Sequence, residues 1–349
     1  MKKNNVLYII VVMFFIVFLI LGQSCASLFG GGSNTVYYYP NGGSGTAPSS
    51  QRVKADSSII LPDGTGLSNG DAIFGGWILY SNDLKTSTLL AAGSSFIPTQ
   101  YTSLFAKWNL DVADLNSAKG LNNKLVWLQN NVESGGNYVV DVNANESIGP
   151  KSLFFPGKEK ITITLRGIGT NRTINILSTA MDSVFSASMF TVPFNVTFII
   201  DTNITLQGNI SNNEALVSVV GKMIMNNGSV ITGNGGCGVV IEKNGNFEMN
   251  GGTISNNNYG GVNLSGNFTM NGGTISGNNK ISEETNLINL AGAGVFIWGT
   301  LGGPGNFIMN GGNITGNKSS FRSGSGGVYT MTGGKFTKKG GTISGNIPE

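Results

Sequence analysis

Histidine is absent from the whole sequence, and charged residues make up only 11% of it, against about a quarter in an ordinary soluble domain. The first absence removes the usual general base, the serine–histidine nucleophile pair and most transition-metal sites. The second means that ion pairs do not organise the fold. The formal charge is +3 and the basic residues are scattered, so the chain carries no electrostatic footprint for nucleic acid. Aspartate is missing from residue 202 onward, and the glutamates there are Glu214, Glu242, Glu248, Glu283, Glu284 and Glu349. No acidic cage for a cation is written into that stretch, and neither a metal nor a cofactor is expected.

What is present in excess is glycine, 53 of 349 residues, alongside 40% hydrophobic residues, which is too many for a disordered chain. The glycines belong to a repeat. "NFEMNGGTISNN" from Asn246, "NFTMNGGTISGN" from Asn267, "NFIMNGGNITGN" from Asn306 and "KFTKKGGTISGN" from Lys335 are versions of one segment. Phe247 and Phe268 are 21 residues apart; the later spacings are 39 and 29, the excess falling in the loops Lys280–Ala291 and Lys318–Ser325. Each unit holds three strand-sized pieces, such as "FTM", "TIS" and "GVNLS". About 21 residues with three strands and three turns make one coil of a right-handed parallel β-helix. The expected fold is therefore mainly β, with coils from 136 to 349. About seven or eight coils stacked at roughly 4.8 Å would make a rod roughly 35 Å long.

Period-two alternation then assigns the faces. Phe247/Met249, Phe268/Met270 and Phe307/Met309 point inward, with Ile254, Ile275, Ile314 and Ile343 as a second ladder. Glycine pairs supply positive φ at corners, and the repeated Asn residues are placed to stack as hydrogen-bonded ladders. In the last unit Lys338 replaces Met, as suits a rung that no further coil covers. Upstream, Leu121, Leu125, Leu128 and Val132 recur at spacings of four, three and four. They form the apolar face of a short helix, expected within 109–135 to cap the first coil. Cys237 in "GGCGVV" reads as a small buried side chain.

The N-terminus carries Lys2 and Lys3, an apolar run from Val6 to Leu21 and then "GQSC". It reads as an export signal over 1–24. The stretch resembles a bacterial lipoprotein signal with a relaxed, spirochaete-like lipobox; the resemblance implies that Cys25 becomes the lipid-modified first residue. An uncleaved membrane anchor is the alternative. Both place the remainder outside the cytoplasm, with the membrane as first partner and a cell-envelope location, outer membrane or cell surface. A Gly-rich tether is expected over 25–35.

Residues 36–108 hold short β-prone runs separated by "PNGG", "PDGTG" and "SND". "VYYYPNGGSGTAP", "AIFGGW", "AAGSSFIP" and "SLFAKW" together resemble the Listeria-Bacteroides repeat, the B-repeat module of internalin-type surface proteins. The resemblance implies a β-grasp-like fold with Trp77 and Trp108 as core residues. Signal, module, helix and coils in this order resemble repeat-rich spirochaete lipoproteins, which implies an envelope-anchored surface protein and brings no activity with it.

Parallel β-helices also serve as polysaccharide lyases and glycoside hydrolases, which need paired carboxylates or acids holding calcium. Of the glutamates only Glu283 and Glu284 adjoin, as a solvated pair would. A non-enzymatic adhesion or binding scaffold is thus the first expectation and a carbohydrate-active enzyme the second. With Val239, Val262, Val295 and Val328 inward, Val240, Asn263, Phe296 and Tyr329 face out, followed by Glu242, Ser265, Trp298 and Met331. Phe296, Trp298, Tyr329 and Met331 are expected to form an apolar patch for a glycan or a host or cell-surface protein, unless the inserted loops fold over it.

Overall fold

The computed structural model describes residues 33–80, 86–177, 188–280, 293–299, 303–319 and 325–348. Cys25, Glu283 and Glu284 lie outside the described residues, as do most of the two inserted loops. The chain divides into two compact units between Asp111 and Val112.

The first unit is a five-stranded mixed sheet in the order Gln51–Lys54, Ser33–Tyr39, Tyr101–Asn109, Ile73–Tyr80, Ser87–Leu90. The two strands Ser33–Tyr39 and Tyr101–Asn109 run parallel; the other pairs are antiparallel. Its first strand begins at Ser33, so the end of the expected tether is instead part of the sheet. Asn34 fixes it there, its Nδ2 donating to the Pro98 carbonyl at 2.7 Å. Trp77 and Trp108 are core residues, and each indole N–H donates at 2.8 Å to a proline carbonyl, Pro62 and Pro40 respectively. Burying an aromatic body is favourable only if its polar tip is also satisfied, and both turns supply that acceptor.

The second unit opens with the helix Gly120–Asn131, the one α-helix among the described residues. Leu121, Leu125, Leu128 and Val132 are all buried, Val132 as the C-terminal cap. They join the same apolar cluster as Val140, Val142 and Ile148 of the first coil. At its start the Leu121 N–H donates to Glu146 Oε2 at 2.6 Å, and Lys124 Nζ donates to the Asp141 carbonyl. A carboxylate at a helix N-terminus satisfies an otherwise orphaned N–H and opposes the macrodipole. The helix is therefore fastened to the coil that it covers.

The rest winds into three long sheets, all parallel, of eight, eight and seven strands. The first sheet runs from Asn137–Val142 to Lys335–Lys338, the second from Glu146–Ile148 to Thr342–Ser344, and the third from Lys151–Ser152 to Val328–Thr330. Each strand pairs with its counterpart one coil on, the arrangement of a parallel β-helix. A three-stranded parallel sheet of two-residue strands, Asn279–Lys280, Ser319 with Lys318, and Ile347–Pro348, joins the last coils at a corner. The spacing reading had placed Lys280 and Lys318 in loops; two-residue strands carry no alternation from which to recognise them.

Inside the coils like stacks on like. Phe247, Phe268, Phe307 and Phe336 lie in register at ring-centroid separations of 4.9, 4.6 and 5.0 Å, with interplanar angles of 6°, 9° and 17°. These separations match the spacing between neighbouring strands. Met249, Met270 and Met309 are fully buried, as are Ile254, Ile275 and Ile314. Phe336 and Ile343 of the last rung are half-buried and Lys338 is exposed.

A polar column runs alongside. Asn257, Asn278 and Asn317 have no exposed surface, and each sends its backbone N–H and its Nδ2 to the Oδ1 of the next asparagine, at 2.9–3.1 Å. Low surrounding polarity strengthens such a chain when every member is satisfied. The corner before each column residue needs positive φ: Gly277, Gly316 and Gly345 adopt +63°, +64° and +63°, and Asn256 fills the same place at +55°. Asn is among the few residues with a side chain that tolerate this region.

Phe268→Ala should cost about 3–5 kcal/mol in urea unfolding followed by circular dichroism. Asn278→Ala, which strands two donors of Asn257, should cost about 2–3 kcal/mol. Thr269→Ala, on the outer side, should stay within about 0.5 kcal/mol; an equal loss at Thr269 would show the faces to be misassigned.

Candidate functional site

The interior is occupied by ladder residues, so any chemistry belongs to the outer faces. On the third sheet, Val239, Val262 and Val295 are fully buried and Val328 is half-buried against the core. Their neighbours align in register outside: Val240 with Asn263, Asn263 with Phe296, Phe296 with Tyr329. The next outward positions follow the same track. The Ser265 N–H bonds the Ile241 carbonyl at 2.8 Å, Trp298 N–H that of Leu264 at 2.9 Å, and Met331 N–H that of Ile297 at 2.9 Å. Glu242, Ser265, Trp298 and Met331 therefore mark successive coils of one column.

The aromatics do meet. Phe296 packs edge-on against Trp298 at 5.0 Å and is stacked with Tyr329 at 5.8 Å. Phe296 itself, expected to be exposed, has no accessible surface at all. It serves as the buried support of the patch, while Trp298, Tyr329 and Met331 keep part of their surface. Alternation gives the side of the sheet on which a residue stands, but not whether something further lies above it. Further along the chain, Gly303, at φ +108°, sits against the Lys243 side chain, whose Cγ is 3.3 Å from where a Cβ would be.

Two carboxylates flank the strands of this sheet. Glu242 follows the strand Val239–Ile241, and Glu214 shortly precedes Val217–Val219 of the coil before. Burial raises both, and the charge of Glu214 pushes Glu242 further, to about 7 from the ordinary 4.5. Residues 28 positions apart reveal no coupling in the sequence; with Val217 paired to Val239, Glu214 stands before one strand and Glu242 after the strand one coil on. Glu242 Oε1 and Asn263 Oδ1 are cut off from solvent with no hydrogen-bond donor.

The other features are structural. Cys237 is a buried cysteine side chain. A shallow depression of about 200 Å³ on the outer side of the first sheet is lined by Lys222, Asn246, Phe247, Glu248, Asn267 and Thr269, with Lys222 and Glu248 paired across it at 3.4 Å. Among the described residues no three His, Cys, Asp or Glu side chains gather to hold a metal.

The chain matches no family model, no curated protein and no solved structure.

The sign of the Glu242 perturbation gives a test. Its folded pKa lies above the unfolded one, so the folded state holds the extra proton between pH about 4.5 and about 7. Stability should fall as pH rises through that window and stay low above it, by at most about 3 kcal/mol. Glu242→Gln should flatten the profile and be the more stable protein at pH 8, as read from urea midpoints at pH 5 and pH 8.

Proposed function

We propose that this chain is a lipid-anchored protein of the cell envelope that presents the outer side of the third sheet as a recognition surface. The observation that carries this reading is the contrast between the two sides of one set of strands. Inward, four successive coils place Val239, Val262, Val295 and Val328; outward, the same strands place Val240, Asn263, Phe296 and Tyr329. Packing like on like holds the inner side to one residue type. The outer side of this sheet is released from that constraint, and Phe296, Trp298 and Tyr329 gather there. Part-exposed Trp and Tyr beside Met make the composition of a recognition patch.

In this reading the coils form a right-handed β-helix of three strands each, the hand that nearly all parallel crossovers take. The first unit is a β-grasp-like spacer of the Listeria-Bacteroides repeat type. Its parallel pairing of first and last strands and its two core tryptophans support that. Cys25 carries the lipid, and the scaffold acts without catalysis.

A second reading rests on one observation. Burial, and then the charge of Glu214, raise the Glu242 pKa to about 7, the property a glycosidase asks of its general acid. The enzyme reading requires release of reducing ends from a polysaccharide, lost in Glu242→Gln; the scaffold reading requires none.

Labelled palmitate should enter the wild-type protein during growth and fail to enter Cys25→Ala, with the variant appearing in the medium or the soluble fraction. Protease added to intact cells should degrade the wild-type chain. Protection on intact cells, with digestion only after lysis, would remove the premise of surface recognition.

A further inference from the structure

A sheet with its core on one side ordinarily turns polar side chains to the other. The five-stranded sheet of the first unit does not. Its core side is marked by Trp77 and Trp108, whose indoles donate to the turns at Pro62 and Pro40. On the opposite side Tyr39, Phe105, Ile78 and Leu89 lie in one row across four neighbouring strands. Tyr39 stacks on Phe105 at 4.9 Å, and Tyr80 leans on the same ring at 5.1 Å. Leu89 is 58% exposed, and Tyr101, also on this side, 50%.

Charge is sorted in the same way. The five strands contain no Asp or Glu; their cations are Arg52, Lys54 and Lys107. Register and alternation put all three on the aromatic side: Arg52 is opposite Thr35, Lys54 opposite Ser33, and Lys107 two residues beyond Phe105. The described acids of the unit, Asp56, Asp63, Asp71 and Asp111, stand outside the strands. This side is therefore aromatic, apolar and of one sign.

Its place in the chain says what it meets. The chain enters the sheet at Ser33, where Arg52 Nε donates to the Ser33 hydroxyl at 3.0 Å. Only residues 26–32 separate Ser33 from Cys25, and fully extended they reach at most about 28 Å. A lipid on Cys25 holds this end of the sheet within that distance of the bilayer. A second copy laid on the same side would set cation against cation. An anionic bilayer attracts each of them, about 5-fold in partitioning per residue, and its headgroup level is where tyrosine rings are favoured.

Resting on the lipid-anchor reading, we infer that the first unit lies on the membrane through this side of its sheet. Tyr39, Phe105 and Leu89 sit in the interface, and Arg52, Lys54 and Lys107 face anionic headgroups.

The test uses the full-length protein reconstituted into phosphatidylcholine vesicles, with or without phosphatidylglycerol, and recovered by flotation. An environment-sensitive fluorophore is attached at Leu89→Cys or, for the tryptophan side, at Ile60→Cys, which is 64% exposed two residues before Pro62. With phosphatidylglycerol, the Leu89 reporter should shift to the blue and be quenched by nitroxide-labelled headgroups, and the Ile60 reporter should do neither. Lys54→Gln should lower the ratio of docked to undocked protein about 5-fold, and Arg52→Gln with Lys54→Gln about 25-fold. High salt should act in the same direction. Circular dichroism of each variant checks that the sheet remains folded.

A Leu89 reporter that stays water-like while the protein floats with the vesicles would overturn the inference and leave the lipid anchor standing. So would equal quenching at Ile60, or quenching indifferent to phosphatidylglycerol and to Lys54→Gln. A blue shift at Leu89 without headgroup quenching would point to a protein partner and overturn it as well. Quenching at Leu89 in a chain that takes up no palmitate would support the membrane face and sink the lipid-anchor reading. Protein that fails to float at all would sink the two together.

Discussion

The structure depends on one constraint: a coil cannot bury its own apolar side or satisfy its own backbone, so each must find in the next the surface it presents to the one before. Parallel pairing supplies the backbone hydrogen bonds, and identical side chains at the strand-to-strand spacing supply the packing. The phenylalanine rings lie 4.6–5.0 Å apart and within 17° of parallel because the strands beneath them leave no other arrangement. The buried asparagine column obeys the same rule in polar form. Low charge content follows: a column of identical charges at that separation would repel along its length.

This constraint also explains how much of the fold could be read from the residues. Phe247, Met249 and Ile254 were assigned inward by alternation, and they are buried, because repetition shows the strand period several times over. The helix face at Leu121, Leu125 and Leu128 was legible for the same reason at period 3.6. Short pieces were not. Asn279–Lys280 and Lys318–Ser319 pair as strands, yet two residues show no period. Ser33, a polar residue next to glycines, carries no strand signal by itself, yet it opens the first sheet.

The site was legible in its columns and not in its depth. Register placed Trp298 beyond Ser265 and Tyr329 beside Phe296, as found. That Phe296 is buried while its neighbours stay partly open depends on what lies over the sheet, which alternation does not encode. The Glu214–Glu242 pair escaped for a different reason. Adjacent acids such as Glu283 and Glu284 are visible as a pair, but Glu214 and Glu242 lie before and after strands of neighbouring coils and out of register, so neither spacing nor winding length reveals their coupling. The glutamate that departs most from ordinary behaviour thus has no adjacent acid in sequence to mark it.

The lid helix has a consequence for how such a rod changes length. Leu121, Leu125 and Leu128 occupy the apolar end of the first coil, and Glu146 of that coil holds the helix by its start. A new winding inserted there would have to displace this fastening, whereas one copied downstream meets only another winding like itself. Growth by duplication is thereby directed away from the lid. The windings nearest the helix, with free-form strands such as Asn137–Val142 and Arg172–Ile176, would be the oldest, and the near-copies beginning at Asn246 the most recent.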